Sequence, residues 1–283
     1  MSPAQVARIV GVSESTLKRW VDTGLLRAQK TAGGHRRIAL GEALAFLRKQ
    51  GRPAPSLDAL GVLGGRGRAP ADPAATPESL AELLLREDVA ISRALVLDEF
   101  RRGRAVDDLL DRLVAPAMAR VGALWAEGAI DVYQEHAATH RAWWILVELR
   151  DLLPEPPVEA PLALTASPEG DPTLLPGLMA ELTLVEAGWR ALNLGPDLPA
   201  SSLRNAVEAH RPRLVSVSLS SHEVRPRFFE DYPRVLEAAH AVGAAVMLGG
   251  QSLTPGLQDR LVATAFGTRL AHLKAFAAEL RRR

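Results

Sequence analysis

The sequence predicts a multidomain protein of the α and α/β classes, with a winged helix-turn-helix unit, a four-helix bundle and a doubly wound parallel sheet in that order. Three observations carry this prediction. Two short helical segments separated by a glycine stand at the start of the chain. Apolar residues then recur at helical spacing, and strand-like and helical segments alternate in the last part. A chain of 283 residues is long enough for two or three such domains.

Composition excludes several kinds of site. The chain has no cysteine, which excludes disulfides, thiolate nucleophiles and cysteine zinc sites. No apolar run is long enough to cross a bilayer and the first residues lack a secretory pattern, so we expect no membrane partner and a cytoplasmic location. The sequence has no nucleophile elbow, no phosphate-binding glycine loop and no converging carboxylate pair. We therefore expect no catalytic residues and no enzyme.

The N-terminal unit, assigned to residues 1–52, has a helix-turn-helix pattern. A first helix ends at Gly11, and Ser13 caps a second helix, ESTLKRWVDTGLL, which Gly24 terminates. The following segment, LRAQKTAGGHRRIAL, has two short runs around a Gly-Gly pair, which predicts a β-hairpin wing. In a helix-turn-helix the second helix is the one that enters the DNA major groove.

This unit is also strongly basic. Residues 1–50 hold nine Lys or Arg and three acids, a net charge of +6. Because the whole chain carries +1, the remainder carries −5. A basic unit attached to an acidic body indicates that the unit meets a polyanion, although charge alone leaves a solvated surface as the alternative.

The segments TLKRWVDTGLL and TAGGHRRI resemble the MerR family of winged-helix regulators. The resemblance implies six DNA-contacting side chains, three on the second helix and three on the wing: Thr16, Lys18, Arg19, His35, Arg36 and Arg37. Leu17 and Trp20 are expected in the core. The expected partner is a double-stranded DNA operator, and paired half-sites predict a homo-oligomer, either a dimer or a tetramer.

Two further segments separate this unit from the last domain. Residues 53–75 are rich in Gly, Pro and Ala, which predicts a linker. Residues 76–157 then predict a four-helix bundle, because apolar residues recur at helical spacing in four stretches: ESLAELLLRE, AISRALVLDEF, VDDLLDRLVAPAMARVGALWAE and VYQEHAATHRAWWILVELRDLL.

The hairpin between the third and fourth of these helices carries a candidate ligand cap. Asp131 and Gln134 form a capping-box pattern at the start of the fourth helix. The hairpin therefore brings Trp125 to the same end of the bundle as Glu135 and His136. An indole beside an acid and an imidazole could cap a flat ligand with polar edges. The alternative is a core tryptophan beside surface charge.

Residues 158–283 predict a flavodoxin-like sheet. Five candidate strands, LALTA, RALNLG, RLVSVSLSS, AAVMLGG and ATAFG, alternate with helical stretches that include LLPGLMAELTLVEAG and PRVLEAAHAVG. Strict alternation predicts parallel strands covered on both faces, and ligands of such sheets bind at the carboxyl ends of the strands. The first such end is followed by a loop around Gly170.

A tryptophan, nine residues and then Glu-His, ahead of a flavodoxin-like domain, resemble the cobalamin-binding module of the CarH-like photoreceptors. These are MerR-type repressors that use adenosylcobalamin as their light sensor, and the resemblance covers the whole chain. It implies that Trp125, Glu135 and His136 pack over the upper face of the corrin. It also implies positions that accommodate the nucleotide tail: Ser218, Gly249 and Gly250.

Two departures from this family concern the cobalt ligands. Its cobalamin loop has Asp or Glu, any residue, His, two residues and Gly, and the histidine ligates cobalt from below. The matching cofactor-loop positions here are Asp171, Thr173 in place of the histidine and Pro176 in place of the glycine. A second histidine follows the tryptophan in light-sensing members, where this chain has Ala126. We therefore assign no metal ligand, and a light response by the family's route is not expected.

Three alternatives remain for the sensor. It binds adenosylcobalamin without protein histidine ligation, it binds another tetrapyrrole, or it binds nothing and serves assembly. The predicted function is a DNA-binding transcriptional regulator, a repressor, whose ligand controls oligomerisation. The alternative from another class is a corrinoid carrier of a methyl-transfer system, which would leave the basic winged helix unexplained.

Overall fold

The computed structural model describes residues 2–10, 12–30, 36–39, 42–43, 46, 75–221 and 226–282. The chain divides into two compact units. One comprises Met1–Ala105 and Arg112–Glu155, and the other comprises Val106–Asp111 and Pro156–Arg283. Most of the predicted linker, residues 53–74, lies outside the described residues, as does His35 of the predicted wing. The sequence-based division at residues 52, 75 and 157 stays a prediction.

The N-terminal segment forms two helices and a short hairpin. Helices α1 (Pro3–Val10) and α2 (Glu14–Asp22) are followed by the antiparallel strands β1 (Gln29–Lys30) and β2 (Arg36–Arg37). Ser13 caps α2 as predicted, because its Oγ accepts a hydrogen bond from the backbone N–H of Thr16 at 3.2 Å. Leu17 is fully buried in the small core of this segment, and Trp20 packs against Phe46 with the ring centroids 4.7 Å apart.

The predicted bundle region begins with α3 (Pro77–Leu85) and α4 (Val89–Arg101). It continues with α5 (Val106–Leu109), a π-helical turn (Leu110–Val114), α6 (Ala115–Ala126) and α7 (Val132–Leu152). Two capping boxes fix helix starts, one by Thr76 with Ser79 at α3 and one by Asp131 with Gln134 at α7. The second of these is the one predicted from sequence.

The third helix of the bundle is not continuous, which corrects the sequence-based expectation. Proline has no N–H, and its ring conflicts with the carbonyl four residues earlier, so Pro116 interrupts the regular ladder. The chain accommodates this with the π-helical turn that ends at Val114, immediately before α6. The part before the turn, Val106–Asp111, belongs to the α/β unit.

Buried polar contacts hold this segment on the α/β unit. The carboxylate oxygens of Asp111 accept hydrogen bonds from the backbone N–H groups of Leu270 and Ala271 at 2.9 and 3.0 Å. Lys274 donates to Asp107 and, at 3.0 Å, to Glu186. Burial alone would lower the pKa of Lys274, but the two carboxylates outweigh it and raise that pKa.

The rest of the α/β unit is the predicted doubly wound sheet. Five parallel strands lie in the order β4-β3-β5-β6-β7, which is the flavodoxin-like order. The elements follow in the chain as β3 (Leu162–Ala166), α8 (Leu175–Glu186), β4 (Arg190–Asn193), α9 (Ala200–His210), β5 (Leu214–Ser218), α10 (Pro226–Val242), β6 (Ala245–Gly249), α11 (Pro255–Gln258), β7 (Ala265–Gly267) and α12 (Leu270–Arg282).

Separate apolar clusters cover the two faces of the sheet. Residues of α9 and α10 pack on one face and residues of α8 and α12 on the other. Helix α10 begins at Pro226, seven residues before the predicted start at Pro233, because the buried rings of Phe228 and Tyr232 extend its apolar face. Among the described residues, no helix has the length and apolar character needed to span a membrane.

Candidate functional site

The second helix of the N-terminal segment exposes two of its three predicted DNA contacts. Lys18 and Arg19 are exposed, and Lys18 Nζ lies 3.0 Å from Glu14 Oε1 in an exposed ion pair. Thr16 is half-buried, and its hydroxyl lies 2.8 Å from Ser13 Oγ, so this side chain also takes part in the helix cap. The helix therefore presents two exposed basic side chains beside its capped start.

The wing contributes one anchored and one exposed arginine. Arg36 Nη1 lies 2.6 Å from Asp22 Oδ1, which ties the hairpin to the end of α2. Arg37 is exposed on the same strand. The ion pair orients Arg36 and offsets part of its charge, so Arg37 carries the less compensated positive charge.

The candidate ligand cap is exposed at one end of the α6–α7 hairpin. Trp125, one residue before the end of α6, is 51% exposed, so it is not a core side chain. The hairpin turns through Gly128 at a φ of +70°, a conformation that favours glycine. Val132 and Tyr133, in the first turn of α7, are also exposed, at 45% and 67%. An apolar, aromatic surface therefore covers this end of the hairpin.

The acid and imidazole of the cap differ in how firmly they are held. Glu135 is half-buried, and its Oε1 accepts a hydrogen bond from Thr139 Oγ1 at 2.8 Å. Its Oε2 lies 3.7 Å from His136 Nε2, and the His136 side chain is 71% exposed. The acid is therefore oriented by its own helix, while the imidazole is open to a ligand.

The loop after β3 is held by Asp171. This carboxylate is fully buried, and its Oδ2 accepts hydrogen bonds from the backbone N–H groups of Ser220 and Ser221 at 2.6 and 2.9 Å. Its Oδ1 accepts from the N–H of Thr173 at 3.1 Å and from the Thr173 hydroxyl. Asp171 thus joins the loop after β3 to the loop after β5. The Thr173 hydroxyl has a single hydrogen to donate, and it donates this to Asp171.

Small residues line the carboxyl edge of the sheet. Ser218 on β5 stands opposite Gly249 on β6, which in turn stands opposite Gly267 on β7. A Cβ at Gly249 would lie 2.8 Å from the carbonyl oxygen of Gly267. Gly250 has a φ of +103°, and a Cβ there would overlap the carbonyl oxygen of Leu219. The fold itself therefore requires both predicted tail-site glycines.

Two buried hydroxyls at this edge lack partners. Within the described residues, Ser167 Oγ and Ser252 Oγ have no hydrogen-bond partner. They lie in the loops that follow β3 and β6, the two neighbours of β5. Sequence reasoning missed both, and the only available signal was a serine soon after each strand. Unpaired buried hydroxyls are uncommon, and they fit the polar groups of a ligand such as a nucleotide tail.

The two positions where the sequence resemblance expects a cobalt-binding histidine do not provide one. Thr173 stands where the sequence resemblance predicts a histidine. A hydroxyl is a poor ligand for cobalt, and this one donates to Asp171. Ala126, after Trp125, has no ligating atom. Across the described ranges, no group of three or more His, Cys, Asp or Glu side chains is placed to hold a metal ion. Neither Thr173 nor Ala126 therefore supplies cobalt with a nitrogen ligand.

Comparison with known proteins adds two domain matches and a relative. The family model described as a helix-turn-helix domain matches residues 1–51, and the one described as a B12 binding domain matches residues 77–142. The HTH-type transcriptional repressor CarH of Myxococcus xanthus is 29% identical over 270 residues, which cover 86% of each chain.

A solved structure supports the fold. The monomethylamine corrinoid protein of Methanosarcina barkeri matches 72% of this chain and 97% of its own, with a TM-score of 0.57 and 19% identity. At that identity the likeness concerns the fold alone. The two domain matches and the similarity to the repressor confirm the predicted resemblance to CarH-like regulators.

Proposed function

We propose that this chain is a DNA-binding transcriptional repressor with a cobalamin sensor. One observation carries the proposal: a helix-turn-helix domain at residues 1–51 and a B12 binding domain at residues 77–142 stand in one chain. The similarity to a repressor along 86% of the chain supports the same reading. A corrinoid carrier of a methyl-transfer system has no use for the first of these domains and is not favoured.

The DNA contacts of this proposal are those of the second helix and the wing. Lys18 and Arg19 would read or clamp the major groove, with Thr16 at the helix start. Arg37 and His35 would hold the phosphate backbone from the wing, and Arg36 would be oriented by its ion pair with Asp22. Arginine suits both tasks because its planar fork pairs with guanine edges and with phosphate.

For the sensor we propose adenosylcobalamin bound without a protein ligand to cobalt. Trp125, Glu135 and His136 would cover the upper face of the corrin, and the tail would lie at the sheet edge marked by Ser218 and the Gly249-Gly250 pair. When bound, the cofactor supplies a cobalt–carbon bond that light can break. Asp171 and Thr173 would shape the loop below it rather than ligate the metal, because their hydrogen bonds are already made.

Assembly is the proposed output. Operator half-sites require paired heads, so ligand binding is expected to shift a dimer or tetramer equilibrium and to change the number of heads on DNA. Two further predictions belong to this proposal: the chain is not an enzyme, and it acts in the cytoplasm.

A two-part experiment tests the proposal. The full chain is incubated with adenosylcobalamin, haem or biliverdin, freed of excess ligand and examined by absorption spectroscopy, then mixed with its own promoter region in a band-shift assay. We expect retained corrin colour and sequence-specific retardation. If the protein retained haem or biliverdin in place of cobalamin and still bound the DNA, the sensor would be reassigned to that ligand. If the protein did not retard the DNA even at low salt, the proposal that it is a DNA-binding regulator would be contradicted.

A further inference from the structure

Four exposed arginines lie at the amino edge of the α/β sheet, opposite the edge where ligands of such folds bind. Arg190 is the first residue of β4, Arg213 immediately precedes β5, Arg211 ends α9, and Arg281 lies in the last turn of α12. We call Arg190, Arg211, Arg213 and Arg281 the amino-edge patch. None of them is among the predicted site residues.

Hydrogen bonds and strand pairing place Arg190, Arg213 and Arg281 close together, and Arg211 lies two residues before Arg213. Arg213 Nη2 donates to the carbonyl oxygen of Leu280 at 2.9 Å, and Arg281 Nη1, one residue on, donates to that of Ala187 at 2.7 Å. Ala187 lies just before β4. Arg190 and Arg213 flank the start of β3, which lies between β4 and β5, so two strand spacings separate them, about 10 Å.

The charge of the patch is not neutralised by acids. Among the described residues, the ion pairs of this unit, such as Arg204–Glu208 and Arg282–Glu279, include none of the four. Their acceptors are helix-end and loop carbonyls, and a helix end offers only about half a negative charge. Several other arginines of the same unit are paired with acids, as Arg204 is with Glu208 and Arg234 with Asp231.

The patch also lacks the apolar centre of a protein interface. Such interfaces concentrate aromatic and aliphatic side chains at their core. The patch contacts one exposed large apolar residue, Val158. Among the described residues, no exposed aromatic ring contacts the patch. A partner that presents a row of anions fits this surface better than a folded protein face.

We propose that the amino-edge patch binds the phosphate backbone of double-stranded DNA outside the bases read by the helix-turn-helix. Guanidinium groups pair with phosphate in a bidentate manner and independently of sequence. One DNA strand carries a phosphate about every 3.4 Å, so a patch about 10 Å wide faces about three of them. This inference rests on the proposed function, because it requires a chain that binds DNA.

The test measures the salt dependence of DNA binding by the full chain, in one fixed ligand state. Arg190→Gln/Arg211→Gln removes two patch charges with the loss of only one structural hydrogen bond, that of Arg190 to Val158. Arg204→Gln/Arg234→Gln is the matched control, because both arginines are ion-paired elsewhere on the same unit. Binding to a promoter duplex with long flanks is followed by fluorescence anisotropy between 50 and 200 mM salt, concentrations chosen for the test.

Loss of two phosphate contacts is expected to make the logarithmic salt slope shallower by about 1.8, so the patch variant loses about tenfold less affinity over this range than wild type. The control variant keeps the wild-type slope. Trimming the flanks makes the wild-type slope at least as shallow as that of the patch variant, which still has Arg213 and Arg281. Equal slopes for wild type and both variants would overturn the inference while leaving the regulator intact. A changed oligomeric mass of the patch variant without DNA would reassign the patch to a protein partner. No DNA binding by wild type would instead remove the proposed function.

Discussion

The end of the α6–α7 hairpin and the loop after β3 both match parts of the family's cofactor pattern, but their side chains are held very differently. Trp125 and His136 are mostly exposed and contribute little to the fold around them. Asp171 is fully buried and accepts four hydrogen bonds, two of them from the loop after β5. The exposure of Trp125 and His136 leaves them available to a ligand, whereas the fold alone explains why Asp171 is buried.

The largest expected effect tests the structural task of Asp171. In Asp171→Asn one carboxylate oxygen is replaced by an amide N–H₂, which cannot accept the hydrogen bonds that this oxygen accepts. We therefore expect the free energy of unfolding to fall by about 3 kcal/mol. Chemical denaturation followed by circular dichroism measures the change. The control is Asp151→Asn, an exposed acid on α7, which should stay within about 0.5 kcal/mol of wild type. A loss below about 1 kcal/mol at Asp171 would show that the loop does not depend on it.

The opposite pattern is expected at the cap. Trp125→Ala removes a half-exposed indole, so stability should change by less than about 1 kcal/mol while cobalamin affinity falls at least about tenfold. Equilibrium titration followed by absorption measures the affinity. Trp144→Ala, which removes an indole that is 63% exposed on the same hairpin, should leave the affinity unchanged. Equal losses for the two variants would contradict the assignment of the cap.

A third substitution tests a structural contact with no counterpart in the cofactor pattern. Lys274→Met breaks the contacts with Asp107 and Glu186 and should cost about 1 kcal/mol, whereas Lys18→Met, in an exposed pair, should cost close to nothing. Because the folded state raises the pKa of Lys274, its contribution is complete below the ordinary pKa of 10.5 and is lost as pH rises through the raised value. Unfolding curves at neutral and alkaline pH measure this, and a difference that grows with pH would contradict it.

The smallest expected effect concerns Thr173. Thr173→Ala removes one donor to Asp171 but keeps the backbone N–H, so we expect a loss of at most about 1 kcal/mol and an unchanged absorption spectrum of bound cobalamin. A spectral shift in this variant would show that the hydroxyl reaches the cobalt.

The sequence predicted the fold closely where local patterns are sufficient. The apolar run LALTA is strand β3 to the residue, and the capping residues Ser13 and Asp131 stand where predicted. Two prolines limited the prediction: Pro116 divides a helix that appeared continuous, and Pro233 lies inside a helix that begins earlier. In each case the outcome depends on how the neighbouring turns pack, which periodicity does not encode.

The site was less accessible to sequence reasoning. The partners of Asp171 in the loop after β5 are backbone N–H groups about fifty positions away, and no side-chain pattern identifies them. The unpaired hydroxyls of Ser167 and Ser252 become visible only when the surrounding donors and acceptors are counted in three dimensions. The prediction that no histidine of this chain ligates cobalt rests on residue identity alone, at Thr173 and Ala126, and stays a prediction.

The central claim is that this chain holds cobalamin while none of its own nitrogens binds the metal. Electron paramagnetic resonance of the reduced Co(II) cofactor, bound to ¹⁵N-labelled and to unlabelled protein, tests this directly, because a ligating nitrogen splits the cobalt lines. We expect identical spectra from the two samples, with any splitting coming from the cofactor's own base. A splitting that changes from three lines to two on labelling the protein would place a protein nitrogen on the cobalt and contradict the account.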